Sequence, residues 1–571
     1  MCSSDLNPAG IDNIISRVTG TNPSSILGTL GVDGAANLFL LNPHGIIFGA
    51  NAQLDIQGSF VASTANSITF GDGSSFSANP DNSSLLTVSV PLGLQYGTNQ
   101  AGAIANAGNL AVGSGQTLSL SGGTVTSTGS LTAAGGRVEV LGNQVSLLDN
   151  ARIDVSSDTG GGTVLIGGDF QGNGTVPNAV HTFVGSDVTI NADALTNGDG
   201  GKVIVWADQT ATVHGTLTAR GGTVSGDGGF IETSGKQFLN LTSTPDASAP
   251  NGSGGTWLID PTDITLANGG GAIGTNTVDV DNINAALNRG TNVTISTSIG
   301  GTDQGNITQN NDAPIRKTAG GDATLTLQAE NDIDLKADIT SNSGQLNVEL
   351  LADSDNSGAG AIGIFNATID TNGGDFIGSG KGSQARREGI FIGFSSINAE
   401  DGSINLVGRG RDGSNNTNNH GITLLQSRLE TSGLGNITLI GNGGTEGDFS
   451  IGIDVIENTT VSSENGDIRL IGTGGGVNNG WGLQVRDGSV VRSTGTGNIS
   501  LKGTSNGTGA GNYGIIIREQ HFSGSPGVVE ATGTGSITLE GTGSNGTDVN
   551  PGILIEASGR VSTATGNISL T

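Results

Sequence analysis

The last third of the chain repeats with a period of about 31 residues. The clearest marker of the repeat is a glycine followed by polar, Ile, polar and Leu, and successive copies start 33, 31, 31, 38 and 31 residues apart. The six copies are GSINL at 402–406, GNITL at 435–439, GDIRL at 466–470, GNISL at 497–501, GSITL at 535–539 and GNISL at 566–570. Such a period is typical of proteins that stack one structural unit many times.

Each repeat contains two further short segments. A second apolar segment precedes each marker, as in GIFI at 389 and GIII at 514, and a third run such as TTVSS at 459–463 lies between them. Three strands with tight turns need about 21 residues, which leaves about ten for a loop. The period therefore predicts an all-β fold, a right-handed parallel β-helix (solenoid) with short hairpins or loops outside the coil. A β-propeller needs four-stranded blades of about 40–50 residues, so the period disfavours it.

Alternation within the marker predicts which side chains face the core. The Ile and Leu of each copy are two residues apart, so both point to the same face of a strand. The residue between them is Asn405, Thr438, Arg469, Ser500, Thr538 or Ser569, and each of these is polar. We therefore expect Ile and Leu inside and the intervening residue in water.

The region from about residue 80 to 235 is also predicted to be a series of strands. Its segments open with glycine and alternate apolar with polar residues, as one-sided strands do. They are GNLAV at 108–112, GQTLSL at 115–120, GRVEV at 136–140, GTVLIGG at 162–168, GKVIVWA at 201–207 and GFIETSG at 229–235. Helical patterns are nearly absent, and Ile11, Ile14, Ile15 and Val18 are interpreted as part of a strand.

Charge and cysteine content exclude several classes of function. The 101 glycines follow no Gly-X-Y period, so the chain is not collagen-like. The net charge of −29 opposes binding to nucleic acid and to anionic membrane surfaces, and we expect neither nucleic-acid binding nor membrane insertion. With Cys2 as its one cysteine, the chain has no intrachain disulfide, so packing must supply its stability.

The most informative non-repeating stretch is NLFLLNPHGIIFGANAQLDIQGSFVAS at 37–63. Two apolar strand-like runs flank Asn42, Pro43, His44 and Gly45. Pro43 fixes φ and removes a donor, and Gly45 tolerates positive φ, so we expect a stiff turn that displays its polar side chains.

This stretch resembles the N-P-N-G-I motif and its flanks in the secretion domain of the filamentous haemagglutinin family, the large exoproteins of Gram-negative two-partner secretion. His44 stands where the family usually has Asn. GGKVIVWADQTATVHGTLTARGG, GGFIETSGK and GTWLIDPTDITL further along also resemble the family. The resemblance implies a β-helical protein, secreted to the cell surface through the periplasm and acting as an adhesin.

The resemblance also implies a partner and a recognition site. An outer-membrane transporter with POTRA domains would recognise the turn, with Asn42, Pro43, His44, Gly45 and Ile46 as the candidate recognition residues. Host-cell or other surface glycans or proteins would be the adhesive ligands. No cofactor, metal or catalytic residue is expected. The start MCSSDLNPAG has no basic or apolar signal-peptide region, so the chain is interpreted as a fragment that lacks its N-terminus.

Three regions are predicted. Residues 1–235 are interpreted as a secretion domain, truncated at its N-terminus, that runs into the β-helix. Residues 236–330 carry a weaker pattern with several prolines, and we expect an irregular junction there. Residues 331–571 are predicted to be a β-helix of about 31-residue repeats.

Two alternatives remain open, a β-helical carbohydrate-active enzyme and a structural surface-matrix protein. The acidic candidates for an enzyme are Asp353, Asp355 and Asp375, and Asn419, His420 and Gly421 form a short match of low specificity. The five histidines, His44, His181, His214, His420 and His521, share no metal-ligand spacing, and we expect most of them at the surface. Asp260 and Asp263 flank a proline and are interpreted as turn residues rather than metal ligands.

Overall fold

The computed structural model describes residues 11–71, 74–78, 91–95, 102–269, 275–297, 304–413, 417–519, 524–547 and 549–571. Cys2 and His521 lie outside these residues. The chain forms two compact units, the first mainly up to Pro261 and the second mainly from Thr262 onward. Among the described residues, no helix has both the length and the apolar character to cross a membrane.

In the first unit the chain winds repeatedly through three stacks of parallel strands, here sheets 1, 2 and 3, of which sheets 1 and 2 are continuous through the long strands Thr117–Ser127 and Arg137–Leu147. The strands of sheet 1 are Asn13–Arg17, Asn37–Leu41, Phe60–Ser63, Thr117–Ser127, Arg137–Leu147, Thr163–Ile166, Lys202–Ala207, Phe230–Gly235 and Thr256–Ile259. Sheet 2 contains Ser24–Ile26, Ile46–Phe48, Ala103–Asn106, the second halves of Thr117–Ser127 and Arg137–Leu147, and then His181–Val184, Thr210–Val213 and Phe238–Leu241. Sheet 3 contains Thr29–Gly31, Gln53–Asp55, Asn109–Ala111, Ser130–Thr132, Arg152–Asp154, Thr189–Asn191 and Thr216–Thr218.

A stacked column of apolar side chains fills the interior of this unit. Phe60 lies opposite Leu118, which lies opposite Val138, and the column continues through Val164 and Val203. All five side chains are fully buried. Burying one such side chain contributes roughly 1.5–3 kcal/mol, so the column stabilises each winding against its neighbours.

An antiparallel sheet interrupts the coil between Phe60–Ser63 and Ala103–Asn106. Its strands are Ser67–Phe70, Ser75–Ser77 and Pro91–Gln95. Ile68 and Phe70 form a buried cluster with Leu41, against which Phe39 packs. This is the expected hairpin outside the coil, and it covers apolar residues of sheet 1.

A second cover, here the strap (residues 168–180), lies over Leu165, Ile204 and Trp206, which form another buried cluster. The strap contains the 3-10 turn Phe170–Gly172, where Gln171 has a positive φ of 51°. The backbone N–H of Gln171 donates to the carboxylate of Glu232 at 3.1 Å, and its side-chain amide donates to Asp260 Oδ2 at 2.7 Å. The strap therefore shields two carboxyl groups that are both fully buried.

The second unit also winds through three parallel sheets, here sheets A, B and C. Sheet A contains Asn292–Ser296, Ala323–Gln328, Leu346–Leu351, Phe376–Lys381, Ile404–Arg409, Ile437–Asn442, Ile468–Gly474, Ile499–Ser505, Ile537–Thr542 and Ile568–Leu570. Sheet B contains Thr277–Asp279, Ile264–Ala267, Ile307–Gln309, Ile333–Leu335, Ile362–Phe365, Ile390–Gly393, Ile422–Leu425, Ile453–Ile456, Leu483–Arg486, Ile515–Arg518 and Ile553–Ile555. Sheet C contains Ile315–Lys317, Ile339–Ser341, Thr368–Asp370, Ser396–Asn398, Arg428–Thr431, Thr460–Ser463, Val490–Ser493, Val528–Ala531 and Arg560–Thr563.

The prediction of a parallel β-helix with three strands per repeat is confirmed. Marker strands lie in register, with Ile437 opposite Ile468 and Ile468 opposite Ile499. In the first five copies the Ile and Leu are buried, and the residue between them is half-buried or exposed. In the sixth copy Ile568 and Leu570 are exposed.

One helix, Val280–Leu287, was not expected from the sequence. It follows the strand Thr277–Asp279, and the Asp279 side chain caps it by accepting from Asp281 N at 3.0 Å. Val280, Ile283, Ala286 and Leu287 are its buried residues, at helical spacing. The cap and this spacing are the sequence pattern that would have predicted it.

A ladder of buried hydroxyls occupies the corner between sheets B and C. The backbone N–H of Ser395 donates to Ser427 Oγ, and that of Ser427 donates to Thr459 Oγ1, both at 3.2 Å. The N–H of Thr459 then donates to Ser489 Oγ at 3.2 Å. Each hydroxyl thus accepts from the preceding winding, which holds successive corners in register.

Replacing a buried marker residue should destabilise the second unit far more than replacing its neighbour. Ile499 is 1% exposed, whereas Ser500 is exposed. We expect Ile499→Asp to lower the free energy of unfolding by at least about 3 kcal/mol, because it buries a charge in an apolar column. Ser500→Asp should change it by less than about 0.5 kcal/mol. Chemical denaturation measures both, and equal losses would contradict the inward and outward assignment.

Glu232 should make stability depend on pH. Burial, with a smaller contribution from the nearby charge of Asp260, raises the pKa of Glu232 from 4.5 to about 8. The folded state therefore holds this proton more tightly than the unfolded state, and stability decreases as pH rises from about 4.5 to about 8. Glu232→Gln keeps an acceptor for Gln171 without the charge. We expect its melting temperature to exceed that of the wild type at pH 9 and the difference to shrink towards pH 5. A constant difference between the two proteins would contradict this assignment.

Candidate functional site

The turn Asn42–Gly45 forms the corner between sheets 1 and 2 of the first unit. The strand Asn37–Leu41 precedes it and Ile46–Phe48 follows it, as expected. The two strands do not pair with each other: Asn37–Leu41 pairs with the strands Asn13–Arg17 and Phe60–Ser63. The turn is therefore one corner of a β-helical winding rather than the tip of a hairpin.

Asn42 holds this corner together from inside. Its side chain is fully buried, and its Oδ1 accepts from the backbone N–H of His44 at 3.0 Å. Its amide nitrogen donates to Asn22 O at 3.1 Å and to Ser24 Oγ at 2.9 Å. The expectation that the turn displays its polar side chains is therefore wrong for Asn42, because its buried amide is hydrogen-bonded to the backbone and to Ser24 across the corner.

The same hydrogen bond, from a backbone N–H to the side chain two residues before it, recurs at other corners of the first unit. Asn106, Asp154 and Asn191 each accept, through Oδ1, from the backbone N–H two residues further on, at 3.0, 3.1 and 2.9 Å. Asn106 is also buried, and its amide donates to Ser127 Oγ at 3.0 Å. The asparagine of the motif thus plays a structural part that other corners share.

Another Asn-Pro pair, Asn22 and Pro23, lies one winding before the motif, and its contact with the motif was missed in the sequence. Besides the two bonds from Asn42, the backbone N–H of Ser24 donates to Gly45 O at 3.0 Å. Asn-Pro occurs at five places in the sequence, 7–8, 22–23, 42–43, 79–80 and 550–551, so the dipeptide alone does not reveal which two of them stack.

Glycines close the opposite side of the turn. Gly102 N donates to Pro43 O at 3.1 Å, and a Cβ on Gly102 would lie 2.5 Å from that oxygen. Gly45 has a φ of +119°, and a Cβ there would be 3.0 Å from Ala103 O. Only glycine fits both positions, so neighbouring windings enclose the turn on two sides.

What the motif presents to solvent is small and partly apolar. His44 is exposed and Pro43 half-buried, whereas Gly45 and Ile46 are buried. Next to them in the chain, Ile47 is 42% exposed although it lies in a strand. Of the five candidate recognition residues, a folded-state partner can therefore reach mainly Pro43 and His44.

The other candidate residues serve local structure. Asp353 Oδ1 accepts from Gly358 N at 2.8 Å, and Asp355 accepts from Ser357 N at 3.1 Å in the same loop. Asp375 belongs to a different turn, where it accepts from Ser403 N at 2.8 Å. These contacts are those of turn residues, and they do not bring the three carboxylates together as one constellation.

His420 is an exception to the expectation of surface histidines. It is 8% exposed, and its Nδ1 accepts from Ile451 N at 3.1 Å. Burial, and to a lesser degree the charge of Arg486, lowers the pKa of His420 to about 4, so its ring is neutral near pH 7. His44 and His181 are exposed and His214 is half-buried.

Asp260 and Asp263 also have structural partners. Asp260 is fully buried and accepts from Gln171, whereas Asp263 accepts from Asn306 N at 2.6 Å. Within the described part of the chain, no three His, Cys, Asp or Glu residues are grouped so as to hold a metal ion.

Comparison with known proteins identifies the region around the turn. Residues 6–167 match the model of the TPS secretion domain, which covers less than a third of the chain. No curated protein matches the sequence. The match includes the Asn42–Gly45 corner, the stacked Asn22-Pro23 pair and the antiparallel cover. Residues 6–167 are therefore a TPS secretion domain, which supports the resemblance to two-partner secretion exoproteins of the filamentous haemagglutinin type.

Proposed function

We propose that an outer-membrane transporter of the two-partner type recognises the corner at Asn42–Ile46 and exports the chain to the cell surface, where it acts as an adhesin. The TPS match over residues 6–167 carries the secretion part of this proposal. In this proposal some residues of the corner stabilise the turn, and others contact the transporter.

In this proposal Asn42 and Gly45 shape the turn, while Pro43 and His44 contact the transporter. Asn42 satisfies three polar groups of the corner, and Gly45 permits its positive φ. Pro43 and His44 are the residues of the motif that solvent reaches. The exposed side chain of Ile47 adds apolar area next to them, which suits a partner surface.

The construction of the chain suits export and display. Each winding beyond the secretion domain contacts mainly its neighbours, so that part of the chain can fold as it emerges from a transporter that has recognised the folded corner. The net charge of −29 discourages association between copies during that process. A repetitive secreted surface of this kind suits adhesion, and we assign no catalytic role to it.

The export test compares Asn42 and Asn106, two buried asparagines that make equivalent hydrogen bonds at different corners. We expect Asn42→Ala to lower the amount of chain released by cells that co-express the cognate transporter by at least about tenfold, and Pro43→Ala to do likewise. Asn106→Ala removes the equivalent hydrogen bonds at a corner outside the motif. Asn42→Ala and Asn106→Ala should each lower the free energy of unfolding by about 1–3 kcal/mol. Asn106→Ala should nevertheless be exported at the level of the wild type. Immunoblots of the medium and of cell extracts measure the released fraction.

His44→Asn refines the same test, because asparagine is the residue that the family usually has there. We expect normal export of this variant, with an unchanged melting temperature of the purified protein. Equal loss of export for Asn42→Ala and Asn106→Ala would mean that the motif acts only through stability. Normal export of Asn42→Ala and Pro43→Ala would overturn the recognition proposal.

A further inference from the structure

A solvent-filled groove of about 420 Å³ lies at the corner between sheets B and C of the second unit. It crosses successive windings of the coil, and its volume falls within the range of roughly 300–1,000 Å³ that is typical of ligand sites. The side chains that shape it are Asn366, Phe394, Gln426, Arg428, Asn458 and Thr460.

Phe394 departs from the pattern of this corner. Its backbone is left-handed, with a φ of 55°, and its side chain is 51% exposed. The equivalent residues of neighbouring windings, Asn366, Gln426 and Glu457, are also left-handed but polar. A bulky apolar residue in this conformation costs energy, and about half of the Phe394 side chain nevertheless stays exposed, which points to a function.

Among the described residues of this unit, packing explains a second exposed left-handed phenylalanine, but not Phe394. Phe449 has a φ of 57° and is 39% exposed, and its ring meets Trp481 edge to face at 6.2 Å. Among the described residues, no ring contact joins Phe394 to another aromatic side chain. With 51% of its side chain exposed, the Phe394 ring forms an accessible platform at the groove.

The floor beneath this platform is rigid. Ser395 directly follows Phe394, and it belongs to the buried hydroxyl ladder with Ser427 and Thr459. Ser395 Oγ also donates to Gly393 O at 2.8 Å, which fixes the backbone on both sides of Phe394. The groove is thus preorganised, and a ligand would lose little affinity to ordering it.

The polar groups around the ring suit a ligand rich in hydroxyls. Asn366, Gln426 and Arg428 are exposed, and the Arg428 guanidinium also pairs with Glu430. Side-chain amides both donate and accept, so each can pair with adjacent hydroxyls, and a guanidinium donates along a planar edge. An aromatic face packs against the C–H face of a sugar ring.

We propose that this groove binds a neutral oligosaccharide, with one sugar ring on Phe394 and its hydroxyls paired with Gln426, Arg428 and Asn366. The inference deepens the proposed adhesive function and rests on it. It assigns the ligand class and the contact site, which the secretion domain does not specify.

Charge and strand pairing disfavour other ligands. Glu430 neutralises Arg428, and Glu457 accepts from Gln426 at 3.0 Å, so the groove has no excess positive charge for a polyanion. The strand Ser396–Asn398 pairs with Thr368–Asp370 on one side and with Arg428–Thr431 on the other. A peptide therefore finds no open strand edge to extend.

The experiment titrates purified protein of residues 1–571 with neutral hexasaccharides of glucose, mannose, galactose and N-acetylglucosamine, followed by saturation-transfer NMR and calorimetry. The variant is Phe394→Asn, which removes the ring and suits the left-handed backbone. We expect at least one hexasaccharide to bind the wild type, and at least about a tenfold loss of affinity in Phe394→Asn. The melting temperature of this variant should be equal to or above that of the wild type. Gln426→Ala should weaken the same interaction.

Phe449→Asn is the matched control, because it changes an exposed left-handed phenylalanine outside the groove. It should bind like the wild type. The proposal would be overturned if no hexasaccharide bound at about 10 mM, if Phe394→Asn bound as well as the wild type, or if only heparin fragments or peptides bound. Purified protein needs no transporter, so these outcomes are independent of the export test. A separate assay measures whether protein-coated beads attach to a surface that carries the bound sugar. If the protein binds the sugar but the beads do not attach, the adhesive function is contradicted.

Discussion

Close stacking of successive windings in register is the constraint on which the rest of the second unit depends. The marker glycines show how close this approach is: a Cβ on Gly466 would lie 1.9 Å from Gly435 O, and one on Gly497 would lie 2.0 Å from Gly466 O. No other residue fits such a contact without moving a backbone. The glycine that opens each marker in the sequence is therefore a steric consequence of stacking, and the Ile and Leu that follow it fill the column that stacking creates.

This constraint explains why so much of the fold was predictable. A residue that must satisfy the same contacts in each winding recurs at the same position, so both the periodic strands and their inward and outward faces could be read from the sequence. The helix Val280–Leu287 and the strap (residues 168–180) are not part of the repeating unit, so the repeat period does not predict them. The strap depends on contacts between Gln171 and two carboxyl groups more than 60 residues away in the chain. Contacts of that kind leave no local pattern.

The Asn42–Gly45 turn shows the same division between local and tertiary information. Its strands and its turn were predictable, because Pro43 and Gly45 determine the local backbone. The burial of Asn42 was not, since it depends on Asn22 and Ser24 in the preceding winding. The matching corner at Asn106 shows that an asparagine at such a position has a structural role, because its side chain hydrogen-bonds to the backbone and to the neighbouring winding. What distinguishes the motif from its structural equivalent is therefore the pair Pro43 and His44.

A β-helix also provides an internal standard against which an unusual residue can be judged. Neighbouring windings present the same backbone conformation to different side chains, so each column is a natural series of substitutions at one position. At the left-handed corner, Asn366, Gln426 and Glu457 show which residues that conformation ordinarily accepts, and Phe394 stands apart from them. Interior columns leave little freedom, because a change there opens a cavity or a clash in two interfaces at once. Binding sites on such a coil should therefore arise at corners and loops, where a side chain can change without disturbing the stacking beneath it.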